Sequence, residues 1–408
     1  MKSGVFQLAA WTAAAIALSA SSATAQKKYD IGATDTEIKI GQTVPFSGPA
    51  SAYAGIGKTQ AAYLKMINDQ GGINGRKVKL FSYDDSSDTA EAREQTRKLV
   101  EGDEVLFTFQ IIGTPSNAAV QKYLNAKKVP QLLASTGASR FSDPQNAPWT
   151  IAYNPNYQSE GRIYAKYILK NHPDAKIGIF YQNDDLGRDY IAGLKSGLGD
   201  KAATMIVAEA SYELTDPTVD SQIVKLKSAG VDLLYNASTP KFAAQAIRKV
   251  ADLAWKPVHI LDINASPVSA TLKPAGLDIS KDIISTNYGK DPADPQWKDD
   301  AGLKAYFAFM DKYYPEGDKL NTVNTYGYST AELLVYILRQ CGDDLTRDNI
   351  MRQATSIRNF TGSLALPGMH VNTSPTDYRI NKQMQMMKFN GERWELFGPI
   401  LEDKGPAG

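Results

Sequence analysis

The repeating pattern of this chain is clearest at residues 105–117, VLFTFQIIGTPSN. An apolar run at residues 105–109 is followed by a loop, and a stretch with helical periodicity covers residues 117–127. Thr114 suits the N-cap of that helix and Pro115 its first position, where the missing N–H costs nothing. The stretch therefore predicts a buried strand, a short loop and a helix in direct succession.

The same unit recurs along the chain. Short, β-branched runs that predict buried strands lie at residues 38–44, 78–83, 105–109, 129–133, 177–181, 205–208, 232–235 and 258–261. Amphipathic stretches between them, such as 88–100 and 157–170, predict helices, and Asp88 and Asp184 suit helix N-caps. This alternation predicts an α/β fold with mainly parallel sheets. The number of units exceeds one ordinary domain, so we expect two similar, Rossmann-like lobes.

Loops that follow the predicted strands are the candidate ligand-binding segments. In an open parallel sheet, ligands bind in the crevice beyond the carboxyl ends of the strands. The loop at residues 45–53 ends in Tyr53, the loop at 110–117 leads into Thr114, and the loop at 135–139 carries small hydroxyls. The free N–H groups at a helix start can bind a carboxylate without an arginine.

The first residues predict export. Met1-Lys2 precedes an apolar, alanine-rich stretch at residues 5–18, and residues 19–24 are small and polar. This is the order of a secretory signal peptide, and the apolar run is short of the ~20 residues that span a bilayer. We expect a signal peptide at residues 1–25, cleaved after Ala25, and a periplasmic location. The first residue after the cleavage site is Gln26 and not a cysteine, so we expect no lipid anchor there.

Charge and reactive residues exclude several function classes. The 45 lysines and arginines oppose 44 aspartates and glutamates, so the net charge attracts neither nucleic acid nor an anionic membrane. Cys341 is the single cysteine, which leaves no internal disulfide. His172, His259 and His370 lack the spacing of zinc sites, and no Gly-x-Ser-x-Gly motif is present. We expect no enzyme activity, no cofactor and no metal.

Several short motifs together resemble a known family. They are Ser47-Gly48-Pro49 followed by Tyr53, Gly71-Gly72-Ile73-Asn74-Gly75-Arg76, Tyr83-Asp84-Asp85, Gly137-Ala138-Ser139 and Asn183-Asp184-Asp185-Leu186-Gly187. In this combination the chain resembles the type I periplasmic binding proteins of the branched-chain, or hydrophobic, amino-acid uptake family. These are leucine-binding-protein-like components of ABC transporters. The resemblance covers essentially the whole chain after the expected signal peptide.

The resemblance implies two α/β lobes joined by a hinge of three crossovers. We place the crossovers near Asn156, Tyr288 and Leu366. The N-terminal lobe would then comprise residues 26–156 plus 289–366, and the C-terminal lobe residues 157–288 plus 367–408. The implied partners are a small-molecule ligand held between the lobes and the inner-membrane permease and ATPase subunits of an ABC importer. We expect a monomer.

The resemblance also implies the ligand-binding residues. From the N-terminal lobe, the matching positions are Tyr53, which stacks on the ligand's side chain, and Gly113, Thr114, Gly137 and Ser139, which bind its carboxylate. From the C-terminal lobe, they are Leu186, Thr239, Ile263 and Asn264, with Asp262 adjacent.

The sequence departs from its relatives at one strand end. Leucine-type proteins place a glutamate on the ligand's ammonium, whereas the aligned position here is Ile263 or Asn264, beside Asp262. If Asp262 meets an ammonium, the ligand is a branched-chain or other hydrophobic amino acid, which is the interpretation we favour. If no acid meets it, the ligand is a carboxylate without the amine, such as an aromatic or phenylpropanoid acid.

Two other function classes have requirements that this sequence does not meet. A sensory or repressor module on the same fold would need a second membrane segment or a DNA-binding helix pair, and the sequence has neither pattern. A hydrolase would need a base beside Thr114, Ser135 or Ser139, and no histidine is close to them in sequence. We therefore expect the substrate-binding component of an ABC importer.

Overall fold

The computed structural model describes residues 27–403, so the expected signal peptide and its cleavage site lie outside the described residues. The strands are β1 (Lys28–Tyr29), β2 (Glu37–Val44), β3 (Lys77–Asp84), β4 (Phe107–Phe109), β5 (Gln131–Ala134), β6 (Thr150–Ala152), β7 (Ile177–Gln182), β8 (Ile206–Tyr212), β9 (Leu233–Ala237), β10 (Val258–Leu261), β11 (Ile284–Asn287), β12 (Asp344–Leu345), β13 (Gln383–Phe389) and β14 (Trp394–Glu402). The α-helices are α1 (Ala54–Asp69), α2 (Thr89–Arg97), α3 (Thr114–Ala126), α4 (Tyr157–Asn171), α5 (Asp185–Leu198), α6 (Ala202–Met205), α7 (Asp220–Ser228), α8 (Pro240–Asp252), α9 (Lys273–Ala275), α10 (Ala301–Tyr313), α11 (Thr322–Cys341) and α12 (Arg347–Ala354).

The first sheet is parallel and has the strand order β3-β2-β4-β5-β6. Every residue of β4 and β5 is buried, because helices cover both faces of the sheet. Helices α10, α11 and α12 return from the distant C-terminal half and join the same hydrophobic core through Leu303, Leu338 and Ile350. We call this sheet with its helices the first lobe.

The second sheet has the order β14-β13-β11-β10-β9-β7-β8. Strands β7 to β11 pair in parallel, whereas β13 and β14 pair antiparallel at one edge. Its core is rich in tyrosine, and Tyr164, Tyr190 and Tyr235 are fully buried there. This sheet and its helices form the second lobe. The predicted α/β class with two mainly parallel sheets is confirmed.

The strands that the sequence failed to indicate share a weak pattern. β6 and β11 span only three and four residues. β13 reads QMQMMKF, without β-branched residues, and most of β14 is exposed or half-buried, so neither gives a continuous apolar run. The eight predicted strands are present, with ends shifted by up to four residues.

Helix starts follow the predicted caps with one exception. Asp88 accepts hydrogen bonds from the N–H groups of Ala90 and Glu91, and Asp184 accepts one from Leu186, as expected of N-caps. The prediction for α3 is wrong by one residue, because its N-cap is Gly113 and Thr114 is already helical. Gly113 has a φ of 98°, which glycine adopts readily and a threonine would not.

The segment after Leu366 packs on the first lobe. Val371, Tyr378 and Ile380 are buried in the core of that lobe, and the Asn381 side-chain amide donates to the Tyr153 carbonyl at 2.7 Å. Strand β13 of the second sheet then begins at Gln383. We infer that the third crossover lies between Ile380 and Gln383, later than the predicted Leu366, because this packing keeps the chain in the first lobe until then.

A buried ion pair fastens the end of the chain to the second lobe. The Arg162 guanidinium on α4 contacts Asp403 through Nε at 3.0 Å and through its second nitrogen at 2.6 Å, and both side chains are almost inaccessible to solvent. Truncating one member leaves the other charge buried without its partner, which is far costlier than loss of a surface pair.

We therefore expect Asp403→Ala to lower the free energy of unfolding by about 3 kcal/mol or more, measured by urea denaturation. The matched control is Asp299→Ala, which breaks an exposed ion pair with Lys304 and should cost less than ~1 kcal/mol. Equal losses of unfolding free energy in the two variants would contradict the role of the Arg162–Asp403 pair as a buried ion pair.

Candidate ligand-binding site

A cleft lies between the two lobes, at the carboxyl ends of the parallel strands, where such folds bind ligands. It contains about 1260 Å³ of space, part of it open to solvent. The first lobe contributes the loop after β2, the start of α3 and one face of α11. The second lobe contributes the loops after β7, β9 and β10.

Most of the sequence-predicted site residues meet at this cleft. Those that line it are Tyr53, Gly113, Thr114, Leu186, Thr239, Ile263 and Asn264. Gly137, Ser139 and Asp262 do not line it. The structure therefore brings together seven of the ten predicted residues.

The loop with Gly137 and Ser139 is turned toward the hinge side. The Ser139 hydroxyl donates to Asp189 on α5 at 3.1 Å, and its backbone N–H donates to the same carboxylate. Gly137 packs tightly, since a Cβ there would lie 2.1 Å from the Pro155 carbonyl oxygen and 2.6 Å from the Tyr157 ring. The Ser139 N–H and hydroxyl, which were predicted to face a ligand, thus bind Asp189.

The start of α3 forms the polar end of the cleft. The first backbone bond into the helix runs from the Asn117 N–H to the Gly113 carbonyl at 3.0 Å, so the N–H groups of Thr114 and Ser116 have no acceptor within the helix. The Thr114 and Thr136 hydroxyls are 2.9 Å apart. Unpaired N–H groups and the positive end of the helix dipole together favour a bound anion.

A chain of hydrogen bonds crosses the cleft. The Tyr53 hydroxyl donates to the Asn264 carbonyl at 3.0 Å, and the Asn154 amide donates to the Asn264 side-chain oxygen at 2.9 Å. Tyr326 in turn donates to Asn154 at 2.5 Å and lies 2.9 Å from the Ser135 hydroxyl. These bonds join the first lobe directly to the second, so the described arrangement is a closed one.

Asp262 lies behind the cleft wall in a fully buried position. One of its oxygens accepts from the Ser238 N–H at 2.8 Å, and the other accepts from the backbone N–H and the side-chain amide of Asn264 at 2.9 and 3.0 Å. Burial raises the pKa of Asp262, and the nearby Glu160 carboxyl adds to this. The carboxylate positions Asn264, which reaches the cleft in its place.

Several aromatic side chains line the cleft. They are Tyr53, Tyr153, Tyr157, Tyr288, Tyr326 and Trp394. The Tyr153 and Tyr326 rings pack edge to face at 5.2 Å, and Tyr157 stacks on Tyr190 at 4.6 Å. Such rigid rings offer a large apolar surface with hydroxyl groups at its edge.

Two charged side chains line the cleft, Lys290 and Asp291. Lys290 is neutralised by Asp300, with Nζ and Oδ2 2.7 Å apart. Asp291 is 6% exposed, and its carboxylate accepts a hydrogen bond from the Ala293 N–H at 2.9 Å. Burial, with a smaller effect of Asp294, raises the pKa of Asp291 to about 6. No sequence pattern indicated Asp291, because β11, the strand that this residue follows, spans only four residues.

Sequence comparison identifies the relatives of this chain. A family model described as periplasmic binding protein matches residues 37–393. The chain belongs to the periplasmic binding protein family. Among curated proteins, this periplasmic binding protein is 26% identical over 342 residues to Leu/Ile/Val-binding protein homolog 1 of Brucella abortus (strain 2308), a match that covers 82% of this chain and 87% of the relative.

Solved structures share the fold of this periplasmic binding protein. A branched chain amino acid ABC transporter protein from Thermus thermophilus with bound valine superimposes with a TM-score of 0.80 at 14% identity, over 90% of this chain and 97% of that one. A fatty acid ABC transporter substrate-binding protein from Thermomonospora curvata gives 0.79 at 20% identity, over 93% and 95%.

The family is that of periplasmic binding proteins, and the fold is shared with the two solved proteins above. Between residues 27 and 403, no cluster of three His, Cys, Asp or Glu side chains could hold a metal ion. The helices within that range include none with the length and apolar character needed to cross a membrane.

For this periplasmic binding protein we expect Tyr53→Phe to favour the open arrangement. Loss of the bond to the Asn264 carbonyl should disfavour closure by about 1 kcal/mol, or roughly fivefold in population. Small-angle scattering without ligand should then show a larger radius of gyration. Tyr123→Phe, which removes a surface hydroxyl bonded to Glu101 at 2.9 Å, is the control and should leave the radius unchanged.

Proposed function

We propose that this protein binds one small, mainly hydrophobic monocarboxylate between its lobes and passes it unchanged to an ABC importer. The observation that carries this proposal is the pairing of the α3 start with the tyrosine-lined cleft. The helix start supplies N–H groups and the Thr114 hydroxyl for a carboxylate. The aromatic walls supply an apolar surface for the rest of the ligand.

Similar proteins support this ligand class. The Brucella relatives are named Leu/Ile/Val-binding protein homologs, and the two solved proteins of the same fold are a valine-bound branched chain amino acid transporter protein and a fatty acid transporter substrate-binding protein. Valine and a fatty acid both join a carboxylate to an apolar group.

A branched-chain or other hydrophobic amino acid is the ligand we favour. A buried ammonium needs an acidic partner, because a desolvated and unpaired charge is costly. Asp262 was the candidate from sequence, but its oxygens are directed at Ser238 and Asn264. Asp291 lines the cleft and lacks a cationic partner among the residues described, so we assign the ammonium to Asp291 instead.

An aromatic or phenylpropanoid acid is the second candidate. The number of tyrosines on the cleft walls favours it, since aromatic rings pack well against one another at 4.5–7 Å. Such an acid would use the start of α3 in the same way and would leave Asp291 protonated or hydrated.

The cellular role follows from the family. A periplasmic binding protein acts in the periplasm, and the apolar stretch at residues 5–18 supports export with cleavage after Ala25. The permease and ATPase subunits of the importer are the partners that would receive the ligand. We propose that the protein works as a monomer.

Calorimetry with aliphatic amino acids and aromatic acids should find one binding site per chain for a hydrophobic monocarboxylate. Thr114→Val should weaken that binding by about 1–3 kcal/mol, because it removes a hydroxyl at the anion-binding end. Ser139→Ala is the matched control, since this hydroxyl faces Asp189 and lies outside the cleft. Binding confined to sugars or dicarboxylates would contradict the proposal.

Asp291→Asn separates the two ligand classes. It should weaken amino-acid binding by about 2–5 kcal/mol and leave the deaminated analogue unaffected. Because protonated Asp291 cannot pair with an ammonium, amino-acid affinity should also fall as the pH is lowered through about 6, and this pH dependence should vanish in the variant.

The control for Asp291→Asn is Asp294→Asn, at a buried carboxylate three residues away that does not line the cleft. Tight binding of an aromatic acid that is insensitive to both substitutions would identify the second candidate.

A further inference from the structure

A second cavity lies next to the cleft, among the segments that cross between the lobes. It contains about 540 Å³, part of it open to solvent. Its apolar walls are formed by Leu333, Phe360, Leu364, Met369 and Val371. We call it the hinge cavity.

The hinge cavity and the cleft are adjacent. Tyr153, Tyr288, Gly289, Ser329 and Leu364 line both of them. The Tyr153 and Tyr288 rings, with centroids 6.4 Å apart, therefore stand between the two spaces as a shared wall. A chain that passes these rings would lie in both cavities at once.

Polar side chains on the hinge cavity are already engaged with the protein. Asn381 donates to the Tyr153 carbonyl at 2.7 Å, and Lys382 pairs with Asp377 at 2.7 Å. The His370 ring lies 2.6 Å from the Thr361 hydroxyl. A polar ligand group would have to replace such bonds, whereas an apolar segment can enter without breaking a hydrogen bond.

We propose that the hinge cavity is a subsite for the apolar tail of the ligand. With the carboxylate at the start of α3, the tail runs along the tyrosine-lined cleft, passes Tyr288 and ends against Leu333 and Phe360. The substrate class is then a monocarboxylate with an extended apolar chain. This inference rests on the proposed function, because it takes the carboxylate site in the cleft as the anchor.

Occupancy of the hinge cavity would also act on lobe closure. Tyr153 precedes the first crossover, Tyr288 and Gly289 belong to the second, and Asn381 and Lys382 to the third. A tail in this position touches all three segments whose angles change when the lobes move. A ligand shifts such an equilibrium only through contacts that differ between the two states, and contacts with the crossover segments are the ones that lobe movement would change.

The test uses two ligand series, straight-chain alkanoates and straight-chain 2-aminoalkanoates of increasing length, titrated by calorimetry into the protein freed of bound ligand. In the series that binds, affinity should keep rising with length, by up to about fourfold for each CH₂ group that is buried. Ala365→Leu fills the hinge cavity and should end this rise at a shorter chain. Leu333→Ala enlarges it and should extend the rise to a longer chain.

Leu338→Ala is the matched control, because this α11 residue is fully buried in the first-lobe core and lines neither cavity. It should lower stability without changing the preferred length. If short members bind with a preferred length that no hinge-cavity variant changes, the subsite is refuted and the proposed function stands. If neither series binds, the subsite is refuted, and if branched-chain amino acids and aromatic acids also fail to bind, the proposed function falls with it.

Discussion

The buried carboxylate of Glu160 is the group around which the second lobe is organised. It accepts hydrogen bonds from the hydroxyls of Tyr164 and Tyr190, both at 2.7 Å, and of Thr286 at 3.0 Å, and from the Ile263 N–H at 2.9 Å. These donors belong to α4, α5, β11 and the turn after β10. Since a buried polar group without partners is costly, the four elements are held at one point.

That point fixes the second-lobe wall of the cleft. Ile263 opens the turn that carries Asn264, and Tyr190 and Asp262 hold the Asn264 amide group at 2.9 and 3.0 Å. The two oxygens of Asn264 are then free to accept bonds from the first lobe. Acidic side chains that do not line the cleft thus determine the geometry of the turn at Ile263 and Asn264, which presents only uncharged side chains to the cleft.

Local sequence patterns determined the fold class and most element positions. Strands such as β7 and β10 are short runs rich in apolar residues, because parallel strands covered on both faces are almost wholly buried. Asp88 and Asp184 marked helix starts, because a cap depends only on residues two or three positions away. The loops after these strands also indicated the cleft, since the ends of parallel strands meet at one edge of the sheet. β14 was missed because most of its residues are exposed or half-buried, so that it has no continuous apolar run.

The tertiary structure alone decided which side chains face the cleft. Sequence placed Ser139 and Asp262 after strand ends, but hydrogen bonds with Asp189 on α5 and with Ser238 in the loop after β9 direct their side chains away from the cleft. It gave no sign of Asp291, whose position depends on β11 and on the packing of the first lobe. The direction of a buried polar side chain depends on the groups that form hydrogen bonds with it. These groups come from distant parts of the chain and meet only when the lobes fold.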